Sequence, residues 1–141
     1  MSVEENIRVI DTLIEALNNR ELDRWESLHS KPVIWHGPEF SKPLRGRDVL
    51  RKILEVPLTA FPDSRLEKQR AFGQGNWVCV ELVERGTHTG PLNTGDQPIP
   101  ATNRAFKITV CRVYKLNEGR ITEGHEYYDL MGLLGQLGLA S

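Results

Sequence analysis

The chain has 141 residues, of which 26% are charged and 39% hydrophobic, and its formal net charge is −1. This composition is typical of a single folded domain, and it excludes a disordered chain and a basic surface for nucleic acid or for attachment to a membrane. The sequence contains no apolar run near the roughly 20 residues of a spanning helix and starts without a signal-peptide core, so a cytoplasmic location is expected.

The first element is predicted to be an amphipathic helix. Ser2 and Glu5 fit a capping box, in which each side chain satisfies a backbone N–H at the start of a helix. Apolar residues then recur at helical spacing to about Asn18. The sequence therefore predicts a helix that packs one face on a core.

Shorter elements are predicted to follow. A second helix is expected over about 21–28, and the apolar run at 33–36 predicts a brief strand. A third helix is expected from about 46, and Pro57 and then Phe61-Pro62-Asp63 are expected to break it, because proline has no N–H to donate.

The second half is predicted to be a sheet. Strands are expected over 77–85 and 106–116, separated by a loop over 90–103 that is rich in glycine, proline and asparagine. The turn at 117–119 leads into a last strand that continues to Asp129. Helices followed by hairpin-connected strands indicate one α+β domain, residues 1–141, with a curved antiparallel sheet.

The last predicted strand carries a high density of acid/base groups. Since strand side chains alternate between two faces, Glu123, His125, Tyr127 and Asp129 are expected on one face. Asp129 precedes Leu130 and Met131, where burial would raise its pKa toward values useful for acid/base catalysis. The alternative is that Asp129 caps the C-terminal helix.

Five short motifs follow one another in a recognisable order. They are Phe61-Pro62-Asp63, Gly86-Thr87-His88-Thr89-Gly90, Pro100-Ala101-Thr102-Asn103-Arg104, Gly119-Arg120-Ile121-Thr122-Glu123 and Asp129 followed by Leu133-Leu134-Gly135-Gln136-Leu137-Gly138. Their order resembles the SnoaL-like polyketide cyclase family of the nuclear transport factor 2-like superfamily. The resemblance implies a cone-shaped curved antiparallel sheet wrapped around N-terminal helices, with a deep apolar pocket. It also implies a homodimer packed through the sheet and no metal or organic cofactor.

The resemblance also implies a function. In the cyclases of this family an Asp of the last strand is the general acid/base of an intramolecular aldol condensation, and Asp129 matches that position. The expected substrate is an apolar molecule with a carbonyl group, and a related isomerisation would use the same groups. Two departures are His125, where a tryptophan is usual, and Asn103, which replaces a glycine and tolerates a left-handed backbone.

Other residues are candidates for contact with the substrate. His88, bracketed by two glycines, could polarise a carbonyl oxygen, so Asp129 and His88 form the predicted catalytic set. The predicted substrate-binding residues are His125, Tyr127, Tyr114, Trp35, His36, Phe61 and Trp77. The alternative is that these aromatic residues only pack in the core, which is the commoner role of such side chains.

Two other functions stay open at this point. Epoxide hydrolysis would need Arg112 to point inward between Asp129 and either Glu81 or Glu123, although a mid-strand arginine more often faces outward. A non-catalytic binding or dimerisation module is the other alternative. The four histidines lack the spacing of metal ligands, and both cysteines, Cys79 and Cys111, fit reduced core residues.

Overall fold

The computed structural model describes residues 1–140, which form four helices and six strands. In chain order they are α1 (Val3–Asn18), α2 (Leu22–Ser27), β1 (His29–His36), β2 (Leu44–Arg45), α3 (Arg47–Ala60), β3 (Arg65–Gln74), β4 (Trp77–Thr87), β5 (Ala105–Asn117), β6 (Arg120–Tyr127) and α4 (Leu130–Gln136).

The six strands form one curved, unclosed sheet in the order β2-β1-β6-β5-β4-β3. The long hairpins β3–β4, β4–β5 and β5–β6 are antiparallel, as predicted, but β1 pairs in parallel with β6. This parallel pair joins the helical first half of the chain to the last strand.

The helices cover one face of the sheet, here called the inner face. The predicted capping box at Ser2 is confirmed, since its side chain accepts from the Glu5 N–H while Glu5 accepts from the Ser2 N–H. Ile10 and Leu13 of α1 are buried with Val80 and Leu82 of β4. None of the helices described is long and apolar enough to cross a membrane.

The structure differs from the predicted elements in three places. Strand β3 was not predicted, because Arg65–Gln74 is mostly exposed and lacks an apolar alternation. Pro57 lies within α3 and does not break it, and α3 ends at Ala60, directly before the predicted break at Phe61-Pro62-Asp63. Strand β6 ends at Tyr127, so Asp129 lies beyond it.

Two turns behave as predicted. Asn103 has a φ of 60°, the left-handed conformation expected of the residue that replaces glycine. Glu118 and Gly119, with φ values of 51° and 78°, make the two-residue turn between β5 and β6.

The cysteines are free and lie closer together than their sequence separation suggested. The Sγ atoms of Cys79 and Cys111 are 3.7 Å apart on the face opposite the helices, here called the outer face. Burial raises the pKa of the Cys79 thiol to about 11, so the thiolate form is scarce near neutral pH.

His29 is expected to make the fold sensitive to acid. Burial lowers its pKa to about 4, from 6.5 in an unfolded chain, and Nδ1 donates to the Trp25 carbonyl at 2.9 Å. The unfolded chain therefore binds more protons between these values, and stability falls as pH drops through this window. From pH 8 to pH 5 the loss is about 2 kcal/mol.

The measurement is urea unfolding at pH 8 and pH 5 for the native chain and for His29→Gln. The variant removes the titrating group, so its loss of stability between the two pH values should be smaller by about that amount. Equal losses in both proteins would contradict the assignment to His29.

Candidate active site

A buried ion pair is the central feature of the inner face. Arg112 of β5 lies directly opposite Glu126 of β6, and its Nε donates to Glu126 Oε2 at 2.7 Å. The two side chains are only 13% and 12% exposed. Arg112 occupies the same row of β5 as the buried residues Val110 and Tyr114, so it points toward the helices.

Aromatic rings pack around this pair. Tyr114 is 2% exposed, and its hydroxyl lies 3.5 Å from Nη1 of Arg112. The Trp35 ring lies 5.9 Å from the Arg112 guanidinium carbon and 5.9 Å from the Tyr114 ring. Of the predicted substrate-binding residues, Trp35 and Tyr114 are the two that lie against the ion pair.

Gly124 makes room for Trp35. A Cβ on Gly124 would lie 2.5 Å from Cε3 of Trp35, a separation that side chains do not tolerate. The last strand therefore presents a glycine on its inner face, and the indole comes from β1 instead. A tryptophan ring therefore lies beside Arg112, although the last strand itself carries His125 where a tryptophan is usual.

Further carboxylates lie near Arg112. Glu84 is on the inner face of β4, four residues beyond Val80, the cross-strand partner of Arg112. Burial raises the pKa of Glu84, and the Arg112 charge opposes that rise. Glu84 therefore binds a proton more readily than an ordinary glutamate.

Glu39 and Tyr128 form the rim of this region. The Tyr128 hydroxyl donates to the Glu39 carboxylate, which joins the segment after β1 to the residues after β6. Glu39 is exposed as a whole residue, but burial of its carboxyl group raises its pKa. The pKa of Tyr128 is also raised, first by burial and then by its bond to Glu39.

Arg112 remains a cation in this setting. Burial acts to lower its pKa, but Tyr114, Glu126 and Glu84 act in the opposite direction and hold the pKa above its ordinary value. Burial likewise raises the pKa of the Tyr114 phenol, so this hydroxyl keeps its proton. The cluster thus combines a fixed cation, a paired carboxylate and a neutral hydroxyl donor.

Asp129 lies outside this cluster. It is exposed, so the predicted burial beside Leu130 and Met131 is wrong, and its Oδ1 accepts from the Gly132 N–H at 2.8 Å. Asp129 is the N-cap of α4, which was the alternative drawn from the sequence. Its catalytic role remains a prediction that no contact supports.

His88 is fully buried, but at the far end of the sheet. Its Nδ1 accepts from the Thr102 N–H at 3.2 Å, and its ring packs against Phe61, with centroids 5.5 Å apart. Nε2 has no hydrogen-bond partner among the described residues. The preceding residue, Thr87, pairs with Ala105, about 24 Å along β5 from Arg112, so His88 cannot join the Arg112 cluster.

Four other predicted substrate-binding residues lie on the outer face. Val113, beside Arg112, pairs with His125, so His125 points away from Glu126, and the His36 ring stacks on it with centroids 4.2 Å apart. Trp77 and Tyr127 are 37% and 58% exposed on this same face. A molecule bound at Arg112 would not reach any of the four.

A β-bulge explains why the wrong face of β6 was predicted. The register shifts between Lys115 and Leu116, which pair with Glu123 and Ile121, so Thr122 is an extra residue. Alternation from the buried Ile121 would put His125 inside, but the bulge reverses the faces and puts Glu126 inside. The detectable signal was Arg112, the polar member of an apolar row on β5.

The structure also changes which carboxylates are candidates for epoxide hydrolysis. Arg112 points inward, contrary to the expectation for a mid-strand arginine, but none of the three predicted acids contacts it. Glu81 pairs with Arg70, Glu123 with His125, and Asp129 caps α4. Glu126 is the acid that contacts Arg112 instead, and Glu84 and Glu39 interact with it through their charge, without a hydrogen bond.

Two surface hollows lie elsewhere. One of about 450 Å³ is bordered by Asp63, Thr87, Phe106 and Lys107, and one of about 490 Å³ is bordered by Arg20, Asp23 and other charged residues. Both are open to solvent and partly polar, so neither is the deep apolar pocket that the resemblance implies. That pocket stays an expectation for the inner face.

A curved sheet with helices on one face and a buried polar cluster between them defines the nuclear transport factor 2-like fold. The same fold occurs in IdmH from Streptomyces antibioticus, with a TM-score of 0.80, 26% identity and coverage of 94% of this chain and 98% of that one. A family model for SnoaL-like polyketide cyclase matches residues 7–137. The chain belongs to the SnoaL-like polyketide cyclase family.

Curated relatives agree with this family. Aklanonic acid methyl ester cyclase DnrD from Streptomyces peucetius is 26% identical over 134 residues, which cover 94% of this chain and 90% of that protein. Nogalonic acid methyl ester cyclase from Streptomyces nogalater is 32% identical over 83 residues, 59% of each protein, so this second match spans less than two-thirds of that relative.

Proposed function

We propose that the protein catalyses a cofactor-independent intramolecular aldol ring closure on an apolar polyketide substrate bound at Arg112 and Glu126. The family supports a cyclase-type reaction. The observation that carries the site is the buried Arg112–Glu126 pair, flanked by Trp35 and Tyr114. Glu126 replaces Asp129 as the proposed general acid/base, because Asp129 is exposed.

The proposed reaction needs one proton carrier. The Glu126 carboxylate takes a proton from a carbon next to a carbonyl, and the electron pair of that C–H bond forms an enolate. The enolate carbon attacks a second carbonyl carbon of the same molecule, and a C–C bond forms. Glu126 then returns the proton to the new alkoxide oxygen. Substrate and product have the same mass, since no atom is gained or lost.

The other groups of the cluster have supporting roles. The Arg112 guanidinium and the Tyr114 hydroxyl are neighbouring hydrogen-bond donors, so both can donate to the same enolate oxygen and stabilise its developing charge. The Trp35 and Tyr114 rings supply an apolar wall for a flat substrate. Arg112 also orients Glu126 through the 2.7 Å hydrogen bond.

The direct test is incubation of the purified protein with aklanonic acid methyl ester and nogalonic acid methyl ester, the compounds that the relatives' names give. We expect a new product of unchanged mass for at least one of them, detected by liquid chromatography and mass spectrometry. Heat-denatured protein is the control. No product from either ester would count against a cyclase of this substrate class and favour a non-catalytic binding module.

Epoxide hydrolysis is the second candidate, and one observation favours it. Arg112 points inward, pairs with Glu126 and interacts through its charge with Glu84 and Glu39, so an arginine and carboxylates could hold a water molecule. Its product gains one water, whereas ring closure leaves the mass unchanged. Mass spectrometry therefore separates the two reactions, and conversion of epoxides without ring closure of the esters would select this candidate.

We also propose that two copies of the chain pack through the outer face. Phe72, Trp77 and Tyr127 leave 57%, 37% and 58% of their surface exposed there, which is unusual for large apolar side chains. Phe72→Glu is expected to convert a dimer to a monomer in size-exclusion chromatography with light scattering. Met131→Glu is the control, since Met131 is 65% exposed on α4. A monomeric native protein would refute the dimer.

A further inference from the structure

Three possible metal ligands meet on the outer face of the sheet. The parallel register pairs His36 of β1 with His125 of β6, and Glu123 lies two residues earlier on the same face of β6. One ligand atom from each residue lies within 4.8 Å of the other two. The sequence could not show this cluster, because its two histidines are brought together only by the pairing of β1 with β6.

The hydrogen bonds leave the correct atoms available. His36 Nδ1 lies 3.3 Å from the Gly124 carbonyl oxygen, which can only accept, so the proton is on Nδ1 and the Nε2 lone pair is free. A backbone carbonyl in this position is the usual partner of a metal-binding histidine. His125 Nε2 and Glu123 Oε2 are 2.6 Å apart and share a proton that a cation would displace.

The three side chains come from paired strands and are accessible in the single chain. The two imidazole rings are stacked, with centroids 4.2 Å apart and planes within 3° of parallel, so the rings must turn before both lone pairs point at one ion. His125 and Glu123 side chains are 25% and 31% exposed in the single chain, so an ion can enter before two copies pack through this face. Two imidazoles and one carboxylate are a ligand set typical of Zn²⁺ and neighbouring transition metals rather than of Mg²⁺.

We propose that His36, His125 and Glu123 bind a divalent transition-metal ion of the Zn²⁺ class. Ligand atoms around a tetrahedral Zn²⁺ ion are separated by about 3.4 Å, so the side chains must rotate to bring their ligand atoms, now within 4.8 Å of one another, closer together. Water completes the coordination. The site lies on the face opposite Arg112 and Glu126, and it does not rest on the proposed function.

The test is calorimetric titration of Zn²⁺ into metal-free full-length protein from which any affinity tag has been removed. We expect one ion per chain, a rise in melting temperature on binding, and much weaker binding of Mg²⁺. His125→Gln and Glu123→Gln each remove one ligand and should weaken Zn²⁺ binding by more than about 100-fold. Glu67→Gln, an exposed residue of β3, is the control and should bind as the native chain does.

The outcomes are decisive in both directions. No saturable Zn²⁺ binding, or equal affinity in the native and both ligand variants, would overturn the proposal. Circular dichroism checks that each variant is folded. If His125→Gln fails to fold, His36→Gln takes its place, because the hydrogen bond of the His36 side chain is made through Nδ1 and not through the proposed ligand atom Nε2.

Discussion

Replacement of Glu126 by Gln is expected to lower the rate of ring closure by about 100- to 10,000-fold, the range that a positioned proton carrier contributes. Gln keeps the size of the side chain and can still accept the hydrogen bond from Arg112, but it cannot take a proton. The expected effect is on kcat, with little change in KM. The measurement is steady-state turnover of the ester that the native protein converts.

Asp129→Asn is the matched comparison. It makes the same chemical change three residues further along, and asparagine caps a helix as well as aspartate does, so α4 should be retained. If Glu126 is the acid/base, Asp129→Asn keeps near-native turnover. Loss of turnover in Asp129→Asn together with native rates in Glu126→Gln would return the role to Asp129.

Replacement of Arg112 by Met is expected to destabilise the fold by about 3–5 kcal/mol, because it leaves the Glu126 carboxylate buried without its partner. The double variant Arg112→Met with Glu126→Leu removes both charges and should recover much of this loss. Urea unfolding followed by circular dichroism gives the free energies of unfolding.

The outer face offers a control ion pair of the same residue types. Arg70 and Glu81 are paired on neighbouring strands, with side chains 63% and 34% exposed. Arg70→Met should cost no more than about 1 kcal/mol, since water replaces the lost partner. Similar losses for Arg70→Met and Arg112→Met would show that the inner pair is not effectively buried.

The fold could be predicted largely from local patterns. The capping box of Ser2, the turn at Glu118 and Gly119, and the left-handed Asn103 are consequences of a few neighbouring residues. The exposed strand β3 could not be predicted in this way, because its sequence does not alternate clearly between apolar and polar residues. The expected break at Pro57 was wrong for a different reason. A proline removes one helical hydrogen bond, and α3 tolerates that loss near its end.

The site was harder to predict because it depends on register. Glu123, His125 and Tyr127 do share a face, as alternation requires, but the extra Thr122 decides which face it is. Glu126 is identified by its ion-pair partner Arg112, which lies 14 residues earlier, on the other strand of a hairpin. Trp35 reaches the site only through β1, whose pairing with β6 has no local signature.

The parallel pairing of β1 with β6 has a consequence for how the chain reaches its native state. In the chain, β1 and β6 are separated by β2, α3, β3, β4 and β5, so their contact closes a long loop. Until β6 pairs with β1, Trp35 lacks its neighbour Gly124. We therefore expect the hairpins β3–β4 and β4–β5 to form before the β1–β6 pair, and the Trp35 side of the Arg112 cluster to assemble last.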